Sequence, residues 1–217
     1  MKINELTLYT ANLKDQLDFY TNVLEFKLLN KKAYQFSLKI GSSILIFKFK
    51  ENARTYHFAF NIPADKEIEA LDWLNKRVSI LPYLGNAIAN FKSWNAKAIY
   101  FYDKDFNIVE FISRKNLKIY EDQIFSSKSI LNISEIGIAD SDINDMYKRL
   151  YNIRKIDVYG NCSDKFCAVG DEEGMFILVN YKAKTWIPTG DKIFQSDFII
   201  KGDYNFEFAD GKINKLN

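Results

Sequence analysis

The sequence predicts an α+β fold of repeated strand–helix–three-strand (βαβββ) modules, the third degenerate and followed by C-terminal strands. Three observations predict it. Short segments with period-two alternation of apolar residues recur along the chain, the pattern of half-buried strands. Amphipathic stretches of helical spacing follow the strand starts at Ile3 and His57. The opening INELTLYTANLKDQLDFYTN recurs without a gap as ISEIGIADSDINDMYKRLYN, placing Ile3 on Ile133, Glu5 on Glu135, Leu6 on Ile136, Asp18 on Lys148 and Tyr20 on Leu150. Such self-similarity marks a repeated supersecondary unit.

In order, Ile3 to Thr10 reads as a strand, and Ala11 and Asn12 as a turn. A helix follows with Leu13, Leu17, Tyr20 and Leu24 on one face and Asn12 as its N-cap. Three strands complete the module near Lys27 to Asn30, Tyr34 to Ile40 and Ser43 to Phe49, with Gly41 and Ser42 turning the last hairpin. The second module starts with the strand His57 to Ile62 and a helix from Ala64 to Arg77 carrying Ile68, Leu71 and Leu74 on one face. Before its closing strands, AIYFYD and FNIVEFIS, lies SILPYLGNAIANFKSWNA; long insertions of this kind are usually functional, so a lid over a pocket is expected.

The third module closes with MFILVNYK. Residues 182–217 then offer a strand around Phe198 to Lys201 and the hairpin YNFEFADGKINKL turning at Asp210 and Gly211, but no further helix. The expected organisation is residues 1–116 as paired modules and 117–217 as the third module with its hairpin. The tail would complete the third module within the chain, a homodimer being the other way to cover it.

Composition bounds the function. The 217 residues suffice for a real core, and 47% hydrophobic with 27% charged residues is ordinary globular usage. Thirty basic against 28 acidic side chains give a formal charge of +2 with no basic blocks, so neither nucleic acid nor an acidic membrane is an expected partner. The start MKINELTLYT has no apolar signal-peptide core and no stretch reaches membrane-span length, so a cytoplasmic location is expected, with Cys162 and Cys167 as free thiols.

The first strand and helix, INELTLYTANLKDQLDFYTNVLEFKL, and above all the hairpin AIYFYDKDFNIVEFISR resemble the vicinal oxygen chelate superfamily of glyoxalases, bleomycin-resistance proteins and extradiol dioxygenases. That family's closing hairpin reads Y-F-x-D-P-D-G-N-x-x-E; here Lys104 replaces the proline and Phe106 the glycine. The resemblance covers residues 1–115 well and 130–181 weakly. It implies that modules 1–50 and 56–115 share one sheet curled around a cup, helices on the convex side, with ligand positions on four equivalent strands. Those positions fall on Glu5, Ile46, His57 and Glu110, so Glu5, His57 and Glu110 are the implied metal ligands, and Ile46 cannot bind a metal.

Strand alternation agrees with that placement. Leu6 and Leu8, Phe58 and Phe60, and Val109 and Phe111 give each strand an apolar face, leaving Glu5, His57 and Glu110 on the opposite faces. Two carboxylates converging in an enclosed cup repel each other, and a divalent cation relieves that repulsion. For Glu5 an exposed glutamate at a sheet edge is the alternative. Glu135 repeats Glu5, but with no matching histidine and with Leu178 at the closing-strand position the third module reads as structural. Lys48, Trp94, Tyr100 and Tyr102 are the expected substrate-pocket residues, although aromatics at strand spacing are more often core.

Two functions follow. One is a metal-dependent lyase, isomerase or ring-cleaving dioxygenase acting on a small oxygenated molecule, with Fe, Mn, Ni, Co or Zn as the cofactor. The other is a metal-free small-molecule-binding protein of the bleomycin-resistance type.

Overall fold

The computed structural model describes residues 1–216. The first module comprises β1 (Ile3–Thr10), α1 (Leu13–Asp18), β2 (Lys27–Lys32), β3 (Gln35–Ile40) and β4 (Ser43–Phe49). The second comprises β5 (His57–Ile62), α2 (Glu67–Asn75), the short insertion strands β6 (Ile80–Leu81) and β7 (Ala89–Phe91), then β8 (Ala96–Tyr102) and β9 (Ile108–Arg114). A third runs through β10 (Asn132–Asp140), α3 (Ile143–Ile153), β11 (Val158–Cys162), β12 (Phe166–Gly170) and β13 (Met175–Asn180). Three strands without a helix follow: β14 (Phe198–Gly202), β15 (Phe206–Ala209) and β16 (Lys212–Lys215). The repeated α+β architecture is as the sequence predicts.

The partnership of the modules is not. In the nine-stranded sheet, ordered β11-β12-β13-β10-β5-β9-β8-β6 with β7 also paired to β8, β5 pairs antiparallel with β10, so the second module joins the third. The seven-stranded sheet, ordered β16-β15-β14-β1-β4-β3-β2, joins the first module to the C-terminal strands through β1 and β14. The expected sheet of modules 1–50 and 56–115 therefore does not form. The tail, expected to complete the third module, instead extends the first, while the second module completes the third. The physical reason is that apolar alternation specifies which face of a strand is buried and not which edge it meets. Every residue of β5 is buried, as befits a strand with neighbours on both edges.

Phe58, Phe60, Phe111, Ile136 and Phe176 of one sheet and Leu6, Leu8, Phe47, Phe198 and Phe206 of the other belong to a single core. The tip of the β3–β4 hairpin fastens the sheets together: Ser42 N donates to Leu131 O at 2.8 Å, and Ile133 N donates to Ser43 Oγ at 3.1 Å. Gly41 makes that approach possible. Its φ is +54°, and a Cβ there would lie 2.0 Å from Leu131 O.

Local details depart from expectation in three places. Asn12 makes no capping bond and instead donates through Nδ2 to Asp105 Oδ1, while the helix it precedes widens to a π-type turn over Phe19–Val23. In α2 the buried residues include Ala70, Trp73 and Leu74, and Ile68 is exposed, because the Trp73 ring stacks on Phe111 and sets the helix rotation. Cys162 and Cys167, expected as thiols, stand opposite each other across the β11–β12 hairpin and are joined in a disulfide. No helix among the described residues is long and apolar enough to cross a membrane.

Candidate functional site

Across the nine-stranded sheet, register aligns one row of residues. Tyr100 lies opposite Glu110, Glu110 opposite Ala59, Ala59 opposite Glu135, and Glu135 opposite Met175. His57 is two residues before Ala59 and therefore on the same face. Ala59 keeps the middle of the row low, so the two carboxylates and the imidazole meet above it. One ligand atom from each of His57, Glu110 and Glu135 lies within 4.8 Å of the others, and all three residues are buried.

Glu135 reaches this face through a register shift between Ile133 and Glu135 in β10. A bulge inserts one residue and reverses the alternation, so Ile133 stays in the core while Glu135 turns to the cup. The same shift occurs between Ile3 and Glu5 in β1, which explains the gapless repeat.

His57 Nδ1 lies 3.1 Å from Ile108 O. A carbonyl only accepts, so Nδ1 carries the proton and Nε2 presents its lone pair to the cup. Burial pushes the imidazole pKa down to about 4, leaving it neutral near pH 7. With the imidazole neutral, its separations of 3.4 Å from Glu110 Oε2 and 3.9 Å from Glu135 Oε2 are not ion pairs. Burial, followed by the charge of Glu135, holds the Glu110 carboxyl well above the usual carboxylate range. Burial also raises Glu135, opposed by the charge and hydrogen bond of Arg114 Nη2 on its Oε1. Arg114 is itself buried, with its Nε and Nη1 unpartnered.

The donors open into a cavity of about 230 Å³. The insertion supplies Phe91 and Trp94 to its wall, β12 supplies Phe166, and the segment after β13 brings Lys184, Trp186 and Ile187. Trp186 fits because position 137 is glycine, where a Cβ would lie 2.6 Å from its ring. Lys184 sits over the Phe166 ring at 4.5 Å, and burial lowers its pKa.

Of the sequence-predicted residues, His57, Glu110, Trp94 and Tyr100 meet in this cavity. Tyr102 lies further along β8, with its hydroxyl on Asp191. Glu5 and Lys48 do not reach it: both are on the seven-stranded sheet, where Glu5 pairs with Lys201 at 3.1 Å and Lys48 stands opposite Tyr9. That sheet repeats the arrangement without the donors. Glu5 matches Glu135 and Ile46 matches Ile177, but Ile199 holds the place of His57. Glu135, read from the sequence as structural, takes the place assigned to Glu5. Its signal was the repeat itself, which needed the correct module pairing to become legible. Ile177, and not Leu178, faces the cup from the closing strand of the third module, since Leu178 lies in the core.

Neither a family model nor a curated protein matches the sequence. Solved structures do match the fold. A candidate dioxygenase from Bacillus subtilis superposes with a TM-score of 0.63 at 16% identity, covering 94% of this chain and 71% of that one. Glyoxalase I from Zea mays superposes with a TM-score of 0.57 at 15% identity, covering 85% of this chain and 69% of that one. The βαβββ modules, their pairing about a cup and these superpositions together give the molecule the fold of these dioxygenase and glyoxalase structures.

Proposed function

We propose that the chain is a divalent-metal-dependent enzyme acting on a small oxygenated molecule, with His57, Glu110 and Glu135 holding the ion. The observation that carries this reading is the meeting of three lone-pair-bearing groups in a buried cup, two of them carboxylates, with only one guanidinium beside them. Without a cation that arrangement keeps a proton on Glu110 or leaves a buried negative charge. The donor set suits Mn, Fe(II), Co, Ni or Zn.

Such an ion supplies Lewis-acid stabilisation of an enolate or oxyanion, chemistry that serves isomerase, lyase and ring-cleaving reactions alike. The protein's part is positioning. The bond from Nδ1 to Ile108 O fixes the imidazole with Nε2 inward, and the hydrogen bond from Arg114 orients the Glu135 carboxyl. Trp186, packed 5.0 Å from the His57 ring, keeps water from that side of the donors. Elemental analysis of protein purified without added metal salts tests the reading: close to one transition-metal ion per chain supports it, and metal-free protein that takes up none on dialysis refutes it.

A second reading is a metal-free ligand trap of the bleomycin-resistance kind, favoured by Ile177 at the fourth position and by the aromatic walls. In it Glu110 is protonated and donates to the ligand. A cytoplasmic location is part of either reading, and there the Cys162–Cys167 bond is expected to open to thiols.

A further inference from the structure

We infer that the cup takes a small planar ligand bearing a negatively charged group, and that Lys184 is the residue that reads that charge. The inner half of the argument rests on the proposed metal reading; the Lys184 half does not.

Charge comes first. A divalent ion held by the two carboxylates beside the Arg114 guanidinium would give the cup floor one positive charge. An uncompensated buried charge is costly, so the ligand that completes the site is anionic where it meets the donors. Lys184 adds a second positive charge at the mouth. It is half-buried and lines the cavity, and among the described residues no carboxylate lies close enough to pair with it. Its nearest charge-stabilising neighbour is the face of Phe166. An ammonium drawn partly out of water beside an aromatic face, without an anion, is a half-built anion site.

Shape comes second. Trp94, Phe166 and Trp186 present ring faces and edges to a cavity of about 230 Å³, which is below the range of about 300 to 1,000 Å³ for drug-sized ligands and suits a single ring. Lys184 comes from the segment between β13 and β14, outside the strands and helices of the modules, so this charge is set independently of the metal donors.

The probes are benzoate and its neutral isostere benzamide, titrated by calorimetry into the whole protein, first after chelator treatment and then with Mn(II). The expected result is that chelator-treated protein binds benzoate about tenfold more tightly than benzamide, the scale of one charge-assisted hydrogen bond. Lys184→Gln should remove that preference and Lys184→Arg retain it, with the melting temperature unchanged. Equal affinity for the two probes, no benzoate binding at millimolar concentration, or a preference that survives Lys184→Gln would overturn the assignment. A preference that appears only with Mn(II) and survives Lys184→Gln places the carboxylate on the ion, sinking the Lys184 role while sparing the metal reading. A Lys184-dependent preference in protein that takes up no Mn(II) does the reverse.

Discussion

His57 Nε2 lies 3.4 Å from Glu110 Oε2, and the residue that completes their set, Glu135, comes from the next module across the β5–β10 seam. Everything proposed for the site depends on that seam, and each consequence can be measured.

Arg114 and Glu135 form a buried pair beside the donors, so removing one partner strands a charge. Arg114→Met is expected to cost about 3 to 5 kcal/mol in urea unfolding, and Arg114→Met combined with Glu135→Met to recover most of it. A single substitution costing less than about 1 kcal/mol, the scale of an exposed pair, would show that the pair is solvated.

Gly137→Ala places a methyl group where the Trp186 ring now sits. Displacement of Trp186 should shift its fluorescence to the red and cost about 1 to 3 kcal/mol, in the range of overpacked cores. Comparison with a Trp186→Phe background isolates the signal. An unchanged spectrum would mean that Trp186 does not close the cup.

Asp103 accepts hydrogen bonds from Tyr20 Oη at 2.9 Å and Asn107 Nδ2 at 2.8 Å, yet burial dominates and raises its pKa from 3.8 to about 6. The folded state therefore holds this proton more tightly than the unfolded state. The stability it contributes is fully present below about pH 4 and is lost as pH rises through about 6. Carbon-13 NMR of the Asp103 carboxyl should give a midpoint near that value; a midpoint below 4 would mean that the hydrogen bonds outweigh burial.

The C-terminal strands cover the edge of β1 and bury Phe198, Phe206 and Phe208. A chain ending at Tyr181 exposes that edge and the apolar surface beneath it, so light scattering should show aggregation. A soluble monomer would show that the tail completes nothing.

The sequence made the modules, most strand positions and the turns at Gly41 and Asp210–Gly211 legible, because alternation and turn chemistry are local. His57 and Glu110 were legible for the same reason: both lie in one module, on neighbouring strands. Glu5 and Glu135 were not distinguishable locally. They share a bulge, a register and a module position, and only the partner strand separates them, β14 with Ile199 for one and β5 with His57 for the other. Lys48 failed with Glu5, since it follows the first module into the other sheet. The Lys184–Ile187 segment carries no periodic pattern and reaches the cup only through the fold.

Equilibrium dialysis against Mn(II) of the wild type, Glu135→Gln and Glu5→Gln tests the central claim most directly, because the two glutamates are equivalent in sequence and separate in space. The account predicts one ion per chain for the wild type and Glu5→Gln, and affinity reduced at least about tenfold in Glu135→Gln. Uptake that is absent from the wild type, or lost in Glu5→Gln and retained in Glu135→Gln, would contradict it.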